Sequence, residues 1–231
     1  MNLNEIGLKY NSDKSSKHHK YLDLYDNYFS KIRYEKNNIL EIGILEGESL
    51  KIFSEYFVNS NIYAFDILQK NNLTINNCFI SSGDQSDRNF LNLFSKVQFD
   101  VIIDDGSHRM DHQQISLGFL FKFLKSGGTY IIEDLHTSLE NFVENVNYGR
   151  DYFNINESGD NNTIDFLNNI NKENQLNHYL LDEELIYLKE NIEVINIVET
   201  CERDTSIYWQ ANGLQNKPSV DKSITSIIIK K

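Results

Sequence analysis

Val101-Ile102-Ile103-Asp104-Asp105 and Tyr130-Ile131-Ile132-Glu133-Asp134 are short apolar runs that each stop in a pair of acids. Runs this apolar, without polar alternation, read as strands covered on both faces, the condition of a parallel sheet between helices. Asn38 to Ile42 and Asn61 to Asp66 have the same character, and Ser49 to Phe57 between them has helical spacing. The rhythm continues with a strand at Cys78 to Ser81, a helix from Ser86 to Phe94 and a strand from Phe99 to Asp104. A helix follows from Gln113 to Leu124, stopped by Ser126-Gly127-Gly128 before a strand at Thr129 to Glu133. Glu193 to Glu199 and Ser223 to Lys230 add two late strands, read as an antiparallel closure. The count is about seven strands.

Open α/β sheets hold ligands at the carboxyl ends of their strands, so the terminal acids mark one shared site. Asp105-Gly106-Ser107-His108 adds an imidazole three residues after the second aspartate. After the first strand, Glu41-Ile42-Gly43-Ile44-Leu45-Glu46-Gly47 forms a glycine turn into a helix, where backbone N–H groups are free for a ligand. The spacing lacks G-x-G-x-x-G, which disfavours a dinucleotide pyrophosphate. Asp66 stands about 20 residues beyond that turn, where an acid accepts from ribose hydroxyls. Asp84 ends the next strand and is placed for an adenine amino group.

The other regions say less. With 231 residues and 40% hydrophobic content, one domain with modest elaborations is expected. A net charge of −12 without a basic cluster argues against nucleic acid and anionic lipid. No apolar run approaches a membrane span, and Cys78 and Cys201 match no metal spacing, so a cytoplasmic protein with reduced thiols is expected. Residues 145–178 are rich in Asn, Asp, Gly and Ser and read as a loop-rich insertion over the site. Residues 3–34 begin polar and end in an amphipathic helix at Tyr21 to Phe29. Tyr208 and Trp209 form an aromatic pair that suits core packing or a sugar face.

Taken together, residues 38–135 resemble the class I S-adenosylmethionine-dependent methyltransferases. That resemblance implies a Rossmann-like α/β fold: a seven-stranded, mostly parallel sheet with helices on both faces and the last strand antiparallel, here with an N-terminal helical lid. On the whole chain it implies one methyltransferase domain, with a lid and helix at 1–36, a cofactor core at 37–135, the insertion at 145–178 and closing strands at 190–231. Glu41, Gly43, Gly47, Asp66, Asp84 and Asp104 are then the cofactor residues, Gly43 facing the methionine part of S-adenosylmethionine, Asp66 the ribose and Asp84 the adenine.

Asp105 through His108 with Glu133-Asp134 resembles, more narrowly, the metal-dependent sugar O-methyltransferases of macrolide-type natural products. That resemblance implies Asp105, Glu133 and Asp134 as ligands of Mg²⁺ or Mn²⁺ and His108 as general base, with a sugar or glycosylated small molecule as acceptor. Hard oxygen ligands suit such a cation, and an iron site with two histidines is disfavoured. Asn11 to Tyr21 resembles an S/T-D-K…H…Y element of surface-polysaccharide methyltransferases, which makes Lys14, His18, His19 and Tyr21 substrate or lid candidates; His136 is a further one. The rival readings are a catechol-like methyltransferase and a non-catalytic binding module. The oligomeric state is left open, a homo-oligomer included.

Overall fold

The computed structural model describes residues 1–70, 72–143, 149–156, 159–172, 178–204 and 220–231. In chain order the elements are α1 (Leu3–Lys9), α2 (Tyr21–Phe29), β1 (Asn38–Ile42), α3 (Glu48–Tyr56), β2 (Asn61–Asp66), β3 (Cys78–Ser82), α4 (Arg88–Leu91), β4 (Phe99–Asp104), α5 (Met110–Leu120), β5 (Leu124–Ile132), α6 (Glu140–Val143), α7 (Gly149–Phe153), α8 (Thr163–Asn169), α9 (Asp182–Asn191), β6 (Ile192–Asp204) and β7 (Val220–Lys230). The strands form one sheet in the order β3-β2-β1-β4-β5-β7-β6. β1 to β5 pair in parallel, and β7 runs antiparallel to both β5 and β6. This is the expected seven-stranded class I methyltransferase arrangement. Strand order reverses between β1 and β4, which opens a crevice at their carboxyl ends.

Side chains alternate across the sheet with the period of two that strands impose. Ile39, Val101, Ile103, Ile131 and Ile227 face a layer built from α1, α2 and α3, through Leu3, Tyr21, Leu22, Tyr25, Phe29, Leu50 and Phe53. Leu40, Ile42, Ile102, Tyr130, Ile132 and Ile228 face the opposite layer, which contains Leu91, Leu117, Leu120, Phe166 and Leu188. Each fully buried aliphatic or aromatic side chain contributes roughly 1.5–3 kcal/mol, so both faces hold the sheet. The N-terminal helices are thus a core layer. The turn-rich segment at 10–20 reaches the ligand end through Lys14, and α2 does so through the hydroxyls of Tyr21 and Tyr25.

Three expectations change. The helix expected at 113–124 runs from Met110 to Leu120 and is followed by a tight 3-10 turn that buries Phe121 and Phe123. Ser126-Gly127-Gly128 does not stop it; these residues sit within β5, where pairing jumps from Phe99–Leu124 to Val101–Thr129. Gly127, at φ 74, supplies the left-handed residue this irregular stretch contains. The described part of 145–178 is not all loop, because α7 and α8 lie in it. Asn162 caps α8 by accepting from the Asp165 N–H (2.8 Å), and Phe166, Leu167 and Ile170 anchor it in the core. The closing strands are longer than expected, their polar outer ends paired from Cys201–Ser223 to Asp204–Val220. Tyr208 and Trp209 lie outside the described residues. No helix among the described residues is long and apolar enough to cross a membrane.

Candidate active site

Gly43 follows β1 at φ 87, and its N–H donates to the Phe65 carbonyl (2.8 Å). A Cβ there would stand 2.0 Å from the Asp105 carbonyl oxygen, so only glycine lets β1 and β4 approach at this point. The turn beyond it closes with Gly47 N–H donating to the Ile44 carbonyl (2.8 Å) before α3. Gly47 itself packs behind the turn, against Leu73. Gly43→Ala is expected to lose most binding of S-adenosylhomocysteine, which calorimetric titration would show; unchanged affinity would contradict the close approach.

A cavity of about 410 Å³ opens beside Gly43, and Asp66, Asp84, Asp105, His108 and Asp134 all line it. Asp66 Oδ2 accepts the N–H groups of Ile44 (2.9 Å) and Leu45 (3.3 Å), and Oδ1 accepts that of Leu68 (2.8 Å). Burial pushes its pKa up, but these donors and Lys70 outweigh burial and hold it below the usual carboxylate range. It is a fixed anion with lone pairs left for a ligand. Asp84 Oδ1 is held by the Ser86 N–H and hydroxyl, both at 2.8 Å, and the residue lines the cavity.

Asp104 and Glu41, two other expected cofactor residues, are not on the cavity wall. Asp104 is buried and accepts from Gln85 Nε2 (3.0 Å) and the Ser116 hydroxyl, so it braces β4 to α5 and to the loop after β3. Gln85 then accepts the Ser107 N–H at 2.8 Å. Gln85 was missed in the sequence, although it stands next to Asp84. Glu41 is fully buried behind the turn, and neither carboxylate oxygen has a well-formed hydrogen bond among the described residues. Burial raises its pKa to about 8, with Lys14 and Ser49 in partial opposition.

That shift has a defined sign. Folded Glu41 keeps its proton to about pH 8, whereas an unperturbed glutamate loses it near 4.5, so the folded protein binds the extra proton between these limits. Stability contributed by this group is therefore lost as pH rises through that window, by at most ~1.4 kcal/mol per unit. Urea unfolding from pH 5 to 8 should show this decline, and Glu41→Gln should flatten it; identical slopes would contradict the assignment.

The acid end is built from β4, β5 and the N-terminal segment. Lys14, with its side chain 4% exposed, places its ammonium between Asp105 Oδ2 and Glu133 Oε2. Glu133 Oε1 accepts from the Tyr25 hydroxyl (2.9 Å). Asp134 Oδ1 accepts from the Tyr21 hydroxyl (2.8 Å), with His19 Nδ1 at 3.6 Å and His136 Nδ1 at 3.8 Å. His108 Nε2 lies 3.6 Å from Asp134 Oδ2 and 4.0 Å from Asp105 Oδ1. His18 is exposed on the outer turn. The structure thus gathers Lys14, His19, Tyr21 and His136 around the acids, with His18 apart from them.

Electrostatics divide these acids. Burial would raise Asp134, yet His108, His19 and His136 outweigh it and hold the carboxyl well below its usual range. Burial and the neighbouring Asp105 push Glu133 up, against the pull of Lys14. Burial alone would lower Lys14, but Asp105, Glu133 and Glu41 keep it firmly charged. His108 and Asp134 both adopt left-handed backbone, at φ 58 and φ 54. For non-glycine residues that costs roughly 1–2 kcal/mol each, a cost that functional sites tend to carry.

Asp105, His108 and Asp134 each offer one ligand atom, and these atoms all lie within 4.8 Å of one another. The two carboxylates are hard oxygen donors that fit a divalent cation of the Mg²⁺ or Mn²⁺ class, with the imidazole beside them. The fixed Asp66 and Asp84 carboxylates beside Gly43 fit the hydroxyl and amino donors of a nucleoside.

No protein-family model matches the chain. L-olivosyl-oleandolide 3-O-methyltransferase of Streptomyces antibioticus is 35% identical over 145 residues, covering 59% of this chain and 38% of that protein. Demethylmacrocin O-methyltransferase of Streptomyces fradiae is 34% identical over 145 residues, covering 59% and 37%. Mycinamicin VI 2''-O-methyltransferase of Micromonospora griseorubida is 32% identical over 145 residues, covering 59% and 36%. The chain spans little more than a third of the length of these relatives. Among solved structures, the MycE methyltransferase of the mycinamycin biosynthetic pathway, in complex with Mg and S-adenosylhomocysteine, superposes with a TM-score of 0.73 at 22% identity, covering 100% of this chain and 55% of that one. An O-methyltransferase from Bacillus cereus gives 0.54 at 14% identity, covering 99% and 90%. The chain has the fold of the class I S-adenosylmethionine-dependent methyltransferases and resembles, among them, the sugar O-methyltransferases of glycosylated natural products.

Proposed function

We propose that the protein is an O-methyltransferase that moves the methyl group of S-adenosylmethionine to a sugar hydroxyl of a glycosylated small molecule, with a divalent cation at the acid end and His108 as general base. The observation that carries this reading is the meeting of Asp105, His108 and Asp134 on the wall of the same cavity that Gly43, Asp66 and Asp84 line. The curated relatives named above act on glycosylated natural products, which favours such an acceptor over a surface glycan.

S-adenosylmethionine supplies an electrophilic methyl on a sulfonium. A divalent cation, when bound, supplies Lewis acidity that eases loss of a hydroxyl proton. Asp66 and Asp84 hold the nucleoside end of the donor, and Gly43, on the same cavity wall, faces the methionine end. Asp134, held well below the usual carboxylate range, is an anion at neutral pH. His108 Nε2 takes the acceptor proton as the oxygen–carbon bond forms and the sulfur–carbon bond breaks, its electron pair staying on sulfur. Tyr21 donates to Asp134 Oδ1 and His136 lies beside the same oxygen, both buried behind the cavity wall.

The test is an acceptor panel of glycosylated macrolides, polysaccharides and catechols, assayed for S-adenosylhomocysteine release. Methylation of a glycosylated small molecule that EDTA stops and Mg²⁺ restores is the expected result. Transfer indifferent to EDTA would remove the cation from the account. Donor binding without turnover on any acceptor would favour a binding module, and preference for a catechol would move the acceptor class.

A further inference from the structure

We propose that His112 reads the base of the methyl donor: its Nε2–H donates to a ring nitrogen of adenine, beside the amino group that Asp84 accepts. The inference rests on the S-adenosylmethionine reading above and deepens it, by adding a residue that sets which base the donor carries.

His112 stands in the first turn of α5 and lines the same cavity as Asp84 and Gly43. Hydrogen bonds tie it to the loop that carries Asp84. Gln85, the next residue, accepts the Ser107 N–H through Oε1 (2.8 Å), and Ser107 Oγ meets His112 Nδ1 at 2.9 Å. The side chains of Asp84 and His112 are near enough that each shifts the titration of the other.

The partners of the ring decide which nitrogen carries the proton. Ser107 Oγ accepts the Arg109 N–H (3.3 Å), and His112 Nδ1 is the one acceptor for its own proton among the described residues. Nδ1 is therefore an acceptor. Burial lowers the pKa of His112 against the pull of Asp111 and Asp84, so the ring is neutral at pH 7 and its single proton is on Nε2. Nε2 lies 3.9 Å from Asp111 Oδ2, too far for a hydrogen bond, and Arg109 already holds both oxygens of that carboxylate, at 3.1 and 3.0 Å. Among the described residues the Nε2–H has no acceptor, on a side chain only 19% exposed. The carboxylates of Asp84 and Asp111 repel an anion, which makes the donor's own carboxylate a poor partner for this N–H. A neutral acceptor fits, and adenine offers one at each ring nitrogen together with an amino group for Asp84.

The experiment is calorimetric titration of the full chain with S-adenosylhomocysteine and with its 1-deaza, 3-deaza and 7-deaza analogues, each of which replaces one ring nitrogen by a C–H. Wild type is compared with His112→Asn, whose amide stands where Nδ1 does and which lacks the far N–H. In the wild type one analogue is expected to bind at least about fivefold more weakly than S-adenosylhomocysteine, because the N–H is left facing a C–H. His112→Asn is expected to bind that analogue and S-adenosylhomocysteine alike. A merely structural His112 would weaken all four ligands together in the variant and leave their ratios as in the wild type, which would overturn the proposal. Equal affinities in the wild type would overturn it while leaving the donor reading standing, and absence of S-adenosylhomocysteine binding in the wild type would overturn both. If His112→Asn does not unfold cooperatively in urea, His112→Phe, which keeps a ring and loses both nitrogens, makes the same comparison.

Discussion

His108→Ala is expected to slow methyl transfer to a sugar acceptor by about 10²–10⁴-fold, the usual range for removing a general base. Binding of S-adenosylhomocysteine should change little, because the residues assigned to the nucleoside, Asp66 and Asp84, are held by their own backbone donors and not by His108. The imidazole is well placed to accept a proton, since Nε2 faces Asp105 and Asp134, and Nδ1 is buried with no hydrogen-bond partner among the described residues. The cost of its left-handed backbone is borne where the ring meets the acids. Single-turnover kinetics with saturating donor measures the effect. A rate within a few-fold of wild type would assign the base to another group, with His136, beside Asp134, the next to test.

Lys14→Met is expected to cost the free protein about 3–5 kcal/mol of stability, because it leaves buried carboxylates facing each other without their ammonium. Asp105 and Glu133 both lean on that one group, and Glu133 is 1% exposed. An exposed lysine without such partners would cost within about 0.5 kcal/mol, severalfold less. Urea unfolding without metal makes the comparison. Adding Mg²⁺ should recover part of the loss, since a cation near Asp105 relieves the same repulsion.

Most of the ligand end was legible in the sequence because acids at the tips of apolar strands leave a local signature. Asp66, Asp84, Asp105, His108 and Asp134 all reach the cavity that pattern implied. Asp104 carries the same signature but turns away, since the alternation that sends Asp105 one way sends its neighbour to Gln85 and Ser116. What was not legible depends on long-range pairing. Lys14, expected only as a substrate or lid residue, pairs with Asp105 and Glu133, 91 and 119 residues further along the chain, which no local pattern announces. Tyr25 looked like one more apolar position of an amphipathic helix, and only the folded α2 shows its hydroxyl on Glu133. α8 was hidden in an asparagine-rich stretch, of which Asn162 is its N-cap, and the glycines near 127 were read as a helix stop where the chain forms an irregular strand.

The central claim is that donor methyl, cation and base share one cavity. The most direct measurement is the nuclear relaxation of S-[methyl-¹³C]adenosylmethionine bound to the protein, with Mn²⁺ titrated in. Strong Mn²⁺-dependent broadening of the bound methyl signal, lost in Asp134→Asn while the donor stays bound, is the predicted result. A bound methyl signal that Mn²⁺ leaves unbroadened would contradict it.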